Sequence, residues 1–306
     1  MKPQGIKKFL RFVEIETKPA TVLPALLALS YVFYTIGTIN FISMVVYFVA
    51  AIFLDMSVTA VNNHFDRRED KNQEPHYGNV ASVCIILAML SVFALLGAYL
   101  AFVHGLTILV AGALCLFAGI GYTYGPAPIS KSPYGEAVSG FIAGTVIMFI
   151  VVSINDPSFD PLGLGLNLAD WRLAMDIDIV LLATFVLITL PPAFCTANIT
   201  LANNICDAER DRPYRYTLVH HLGIKWSLYL FVLLYTASFV AVIASVLIGT
   251  IPMWCLLVFC AVPFVQKNIR IFFKKQEKSV TFVLAVKNFM VITFAYALGF
   301  VLGAIM

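Results

Sequence analysis

The sequence predicts an all-α polytopic membrane protein of about nine transmembrane helices, and three observations carry that prediction. The chain is 60% hydrophobic and 12% charged, with a mean hydropathy of +0.90, whereas a soluble domain is about a quarter charged. Apolar runs close to the ~20 residues that a spanning helix needs recur along its whole length. Basic residues collect in alternate loops, as short cytoplasmic loops retain Lys and Arg. The bilayer is therefore the expected partner, and nothing in the charge pattern points to nucleic acid.

In order, the segment up to Ala20 carries Lys2, Lys7, Lys8, Arg11 and Lys18. It shows no short apolar core ending in a small-residue cleavage site, so no removable leader is expected. Spans are expected at 22–39, 42–62, 80–103, 106–122, 137–153, 179–203, 226–248, 251–266 and 281–304. Pro191-Pro192 is expected to interrupt the sixth, and the short eighth begins at Pro252. The loops 63–79 (Arg67, Arg68, Lys71), 123–136 (Lys131), 207–225 (Arg210, Arg212, Arg215, Lys225) and 267–280 (Lys267, Arg270, Lys274, Lys275, Lys278) alternate onto the face of the N-terminus. The opposite loop, Asn155 to Asp178, holds Arg172 beside Asp156, Asp160, Asp170, Asp176 and Asp178. A multi-pass protein of the cell membrane is expected, with a cytoplasmic N-terminus and an outer C-terminus. Lys287 lies inside the last span, early enough either to snorkel to the interface or to face a polar cavity. The six cysteines show no CxxC spacing and read as packing residues.

Two segments repeat one pattern. Asn62-Asn63-His64-Phe65-Asp66-Arg67-Arg68-Glu69-Asp70 and Asn203-Asn204-Ile205-Cys206-Asp207-Ala208-Glu209-Arg210-Asp211 both read N-N-x-x-D-x-x-x-D, each after an even-numbered span on the basic face. On a helix, Asn62, Asp66 and Asp70 form one stripe, and Asn203, Asp207 and Asp211 another. At 1.5 Å per residue each stripe is about 12 Å long, too long for one metal's ligand shell. Carboxylate and amide oxygens suit Mg²⁺, which completes its octahedron with water and substrate phosphates. The competing reading makes these residues helix caps and solvated turns, where Asp and Asn are favoured. A cap, however, has no reason to repeat an eight-residue spacing. His220 and His221, being adjacent, cannot point the same way on a helix, which argues against a zinc pair. A roughly four-helix unit duplicated about 22–153 and 179–304, within a single domain 1–306 around a central cavity, would explain the repeat.

These residues resemble the UbiA superfamily of intramembrane prenyltransferases, in which N-x-x-x-D-x-x-x-D follows the second helix and a second aspartate-rich motif follows the sixth. Asn62/Asp66/Asp70 and Asn203/Asp207/Asp211 match them. The stretch Asn203 to Gly223 and the loop Tyr122 to Ser130, followed by Gly135-Glu136, resemble the branch that prenylates 1,4-dihydroxy-2-naphthoate in menaquinone synthesis. Asn63 stands where that family commonly has Asp, and Arg212 to Tyr216 replaces a usual Gly-Lys-Arg run.

The resemblance implies Mg²⁺-dependent transfer of a polyprenyl chain from its diphosphate to an aromatic acceptor, with loss of diphosphate and, for dihydroxynaphthoate, of CO₂. Asn62, Asp66, Asp70, Asn203, Asp207 and Asp211 would hold the metal, and Lys18, Arg68, Lys131 and Arg215 would receive the diphosphate. Tyr122, Tyr124 and Phe65 would face the allylic cation. Plainer readings stand beside these: an interfacial aromatic belt for the tyrosines and the positive-inside bias for Lys131 and Arg215. A sibling transferase acting on 4-hydroxybenzoate or another acceptor, and a cation-coupled transporter, are the alternatives. The Pro191-Pro192 break is the feature that would favour the transporter.

Overall fold

A computed structural model of the chain describes residues 3–14, 19–69, 77–167, 172–211 and 215–306. Among these, eight helices are long and apolar enough to cross a membrane. They follow a short α1 (Pro3–Phe12) and α2 (Pro19–Ile36), whose apolar stretch Val22–Ile36 is shorter than the rest. The eight are α3 (Phe41–Glu69), α4 (Asn79–His104), α5 (Leu106–Thr123), α6 (Gly135–Asn155), α7 (Ile179–Asp211), α8 (Leu218–Ile248), α9 (Met253–Lys274) and α10 (Phe282–Ile305).

The helices overrun several expected ends. α3 continues beyond 62 to Glu69 and α7 beyond 203 to Asp211, so the second motif segment is helical throughout and the first as far as Glu69. α8 starts at Leu218, where the Thr217 and His220 side chains form a capping box, and breaks at Gly223 (φ +76). Ser227 Oγ donates to the Gly223 carbonyl at 2.9 Å, and the apolar helix begins at Leu218, ahead of the expected 226. One departure from an all-α chain lies in the acidic loop: β1 (Leu164–Asn167) pairs antiparallel with β2 (Arg172–Met175). Three of its aspartates serve turns and caps. Asp156 Oδ1 accepts from the Ser158 N–H at 2.9 Å, Asp160 Oδ1 from that of Gly163 at 3.0 Å, and Asp178 Oδ1 from that of Leu181 at 2.9 Å.

The chain forms two compact units. In the first (Met1–Val22 with Asn40–Pro128), Phe12 and Val13 at the end of α1 are fully buried against Met56, Ala60 and Val61 of α3 and Ile86 and Met89 of α4. Asn63 completes this junction: its Nδ2 donates to the Phe12 carbonyl at 3.0 Å and to Glu14 Oε1 at 3.1 Å. An ionised aspartate could not do this, because a carboxylate has no proton to donate to either oxygen.

In the second unit (Leu23–Ile39 with Ile129–Met306), α6 and α7 come into backbone contact. A Cβ on Gly144 would lie 2.2 Å from Ala193 Cα, and one on Gly140 would lie 2.6 Å from the Ala193 carbonyl oxygen. A π-helical turn, Phe141–Val146, spans this contact. Polar pairs flank it: Asn204 Nδ2 to Glu136 Oε1 at 2.8 Å, Ser139 Oγ with Thr200 Oγ1 at 2.8 Å, and Thr145 Oγ1 with Thr189 Oγ1 at 3.1 Å. α10 approaches α9 in the same way, Gly299 against Cys255 and Gly303 against Pro252.

The expected interruption at Pro191-Pro192 is absent, since α7 runs through both. Pro192 has no N–H for the Ile188 carbonyl, and Tyr296 Oη of α10 donates to that oxygen instead, at 3.2 Å. Lys287 is exposed, while its neighbour Asn288 is buried and accepts from Asn268 Nδ2 at 2.7 Å.

Two predictions follow from these contacts. Gly144→Ala drives a methyl into the α7 backbone and should cost about 1–3 kcal/mol or more, read as loss of the monodisperse peak in detergent chromatography. Gly112→Ala, whose Cβ meets nothing within 4 Å, should match or exceed the parent. Asn63→Asp removes both donor bonds and sets a carboxylate against Glu14, and should cost about 1–3 kcal/mol, read as a lowered melting temperature that Asn63→Gln partly restores.

Candidate functional site

In the second unit, α7 sets Asn203 and Asp207 one turn apart on one face, half-buried and 5% exposed respectively. Asp211 is the last residue of that helix, so the backbone carries the whole i, i+4, i+8 stripe. Helical residues precede both Asn203 and Asp207, so neither occupies an N-cap. In the first unit, α3 carries Asn62, half-buried, and Asp66 in the same way. The side chains of Asp66, Arg68 and Asp211, and all of Lys18 and Asp70, lie outside the described residues. Among the described residues no three His, Cys, Asp or Glu side chains converge.

Asp207 is the electrostatic focus of the second unit. Its Oδ1 pairs with Arg210 at 3.0 Å, and its Oδ2 accepts from Lys278 Nζ, which comes from the loop between α9 and α10. A carboxylate this deeply buried requires such company, because desolvation without an opposite charge would be prohibitive. Reasoning from the sequence missed both cations as partners of Asp207. They belong to basic loops whose composition the positive-inside bias already explains.

Lys131 ends a short 3₁₀ turn, Ile129–Lys131, and its carbonyl accepts the Tyr216 N–H at 3.0 Å. That bond brings the backbone of Lys131 beside Arg215, two of the expected diphosphate contacts. His220 joins α7 to α8: its Nε2 lies 2.9 Å from the Ala208 carbonyl and its Nδ1 3.0 Å from Thr217 Oγ1. Because a carbonyl only accepts, Nε2 carries the proton and Nδ1 accepts. Nε2 thereby joins α8 to α7, while Nδ1 closes the cap of α8 itself.

In the first unit, Tyr124 stacks on Phe65, with centroids 4.1 Å apart and planes at 23°, and His64 meets Phe65 edge-on at 5.0 Å. Tyr124 is 50% exposed, and Tyr122 is half-buried in the last turn of α5.

The doubled asparagines now have separate tasks. Asn62 and Asn203 belong to the stripes, whereas Asn63 and Asn204, about 100° further round, donate to acceptors on α1 and α6. Glu136, 4% exposed, takes the Asn204 amide on Oε1, and its Oε2 is buried with no hydrogen-bond partner among the described residues.

Comparison with known proteins places this architecture. A 1,4-dihydroxy-2-naphthoate octaprenyltransferase of Bacillus subtilis (strain 168) is 26% identical over 205 residues, which cover 67% of this chain and 58% of that protein. The matched region thus spans less than two thirds of that relative's length. A digeranylgeranylglyceryl phosphate synthase has a similar fold, with a TM-score of 0.64 and 14% identity over 98% of this chain and 99% of that one. So has a UbiA homolog from Archaeoglobus fulgidus bound to GPP and Mg²⁺, at 0.63 and 14% over 98% and 100%. With the fold shared end to end and residues 21–291 matching the family itself, the chain belongs to the UbiA prenyltransferase family.

Proposed function

We propose that this membrane prenyltransferase transfers a polyprenyl chain from its diphosphate to 1,4-dihydroxy-2-naphthoate, with loss of CO₂ and diphosphate, as a step of menaquinone synthesis. The observation that carries the reading is the repeated N-N-x-x-D-x-x-x-D segment, helical over 203–211 and over 62–69. The relative from Bacillus subtilis supports the acceptor, and the Archaeoglobus fulgidus homolog bound to GPP and Mg²⁺ supports the donor and the metal.

The donor set fits Mg²⁺: Asn203 and Asp207 offer an amide and a carboxylate oxygen one turn apart, and Asp207 already attracts two cations. Asn62, Asp66, Asp70, Asn203, Asp207 and Asp211 are the proposed ligands. When bound, Mg²⁺ supplies Lewis acidity that neutralises the leaving diphosphate. Lys131 and Arg215, with Lys18 and Arg68, receive the phosphate oxygens, Arg through its fork of donors. Tyr124, held flat by Phe65, turns an exposed π face to the allylic cation, an attraction worth up to about 2 kcal/mol when desolvated. Tyr122 is assigned the same task.

The two segments are taken as pseudo-repeats, about 22–153 and 179–304, of one domain in a cell-membrane protein whose site opens to the cytoplasm. Supporting the duplication, the second asparagine of each segment anchors its helix to a neighbour. The transporter reading loses its footing because α7 is unbroken at Pro191-Pro192.

The test is product formation by the purified chain in lipid, with a polyprenyl diphosphate and either dihydroxynaphthoate or 4-hydroxybenzoate. A demethylmenaquinol-type product with dihydroxynaphthoate alone, abolished by chelation, is expected. Product with 4-hydroxybenzoate alone would reassign the acceptor, and no product with either would overturn the reading. Asp66→Asn and Asp207→Asn should each lower turnover at least about a hundredfold, roughly 2.7 kcal/mol, while the protein still inserts. Full activity in either variant would remove the metal-site assignment.

A further inference from the structure

The loop between α9 and α10 is built to present one lysine to Asp207. Thr281, 2% exposed, accepts the Glu277 N–H on Oγ1 at 2.8 Å and donates that hydroxyl to the Glu277 carbonyl at 3.0 Å. The same carbonyl accepts the N–H groups of Val280 at 3.1 Å and Thr281 at 2.7 Å. Gln276 Nε2 donates to the Phe272 and Phe273 carbonyls at 2.6 and 3.0 Å, closing the end of α9. Lys275 pairs with Glu277. Lys278 emerges from this frame and reaches Asp207, 71 positions earlier in the chain, with its side chain still 45% exposed. Arg210 is held differently. It lies on the same helix as Asp207, at i+3, with its side chain 70% exposed.

We propose that Lys278 is a positioning residue of the donor site: it holds the Asp207 carboxylate in place until the Mg²⁺ diphosphate arrives, then yields that carboxylate to the metal and transfers its ammonium to a diphosphate oxygen. The inference rests on the function proposed above. Charge makes the exchange favourable. One carboxylate and two cations leave an excess of one positive charge. A prenyl diphosphate with one Mg²⁺ brings one net negative charge, which offsets the excess of this three-residue cluster. A compact ammonium on a flexible stem suits the movement, since its three donors rotate freely and require no planar partner. The rigid loop keeps the start of that stem fixed while the half-exposed end moves.

The exchange predicts effects of opposite sign, which loss of structure cannot produce. Lys278 competes with metal for Asp207 when no donor is bound, yet assists the donor once metal is present. Mn²⁺ binding is measured by electron paramagnetic resonance on the full chain in nanodiscs. Binding of farnesyl S-thiolodiphosphate, a slowly reacting donor analogue, is measured by calorimetry at saturating Mg²⁺. Lys278→Met should bind Mn²⁺ several-fold more tightly without analogue and bind the analogue about tenfold more weakly, the size of one lost charge-assisted hydrogen bond. Lys278→Arg should recover most of the analogue affinity. If Lys278→Met leaves both affinities unchanged, or weakens both, the proposal is overturned while the proposed function stands. If the parent chain binds neither probe, or Asp207→Asn leaves Mn²⁺ binding unchanged, the functional reading fails and takes this one with it.

Discussion

A helix that carries ligands on one stripe is useful only if its rotation about its own axis is fixed, and in α7 that setting depends on the contact of Gly140 and Gly144 with Ala193. At that contact the α6 and α7 backbones approach so closely that no side chain larger than hydrogen fits. Within a bilayer, apolar surface gives little orientational preference, because lipid tails are as good a partner as leucine. Close backbone approach and matched polar pairs give that preference instead. The pairs at 139 with 200 and at 145 with 189 lie on either side of the glycine contact, and Glu136 with Asn204 extends the row to the motif itself. Asn203 and Asp207 are thereby turned to another face of the helix.

The two prolines illustrate the same constraint from the opposite side. A Pro-Pro step inside a spanning helix withdraws N–H donors from the preceding turn, and water cannot replace them in the membrane. Tyr296 takes over one of the released carbonyls, and its own helix is drawn close to α9 by Gly299 and Gly303. The continuity of α7, and with it the straight course of the stripe, is therefore a property of the packed unit.

Electrostatics act on a smaller scale at the C-terminal end of this helix. A single carboxylate, 5% exposed, meets a cation from its own helix and another from a loop far along the chain. The first unit has its own version of this arrangement, in which an amide rather than an ammonium does the joining: Asn63 fastens α3 to the end of α1. The family's more common Asp could not make those bonds, so the asparagine here serves the fold.

Much of this was legible in the residues alone because the signals are local. Spanning segments follow from runs of apolar residues, and the i, i+4, i+8 setting of Asn203, Asp207 and Asp211 follows from spacing on a helix, which needs no knowledge of neighbours. Their membership in the prenyltransferase family was readable for the same reason. The remainder required tertiary structure. Gly140 and Gly144, four residues apart, were ordinary small residues until Ala193 was seen beneath them, although that spacing is a known sign of close helix contact. Pro191-Pro192 read as a break because the acceptor left behind finds its donor 108 positions away. The paired strands 164–167 and 172–175 were hidden in an acidic loop with no alternating pattern. Lys278 was one basic residue among several, and only the folded loop distinguishes it. Hydropathy and helical spacing are properties of neighbours in sequence, whereas the partner of a buried polar atom is set by which helices pack together.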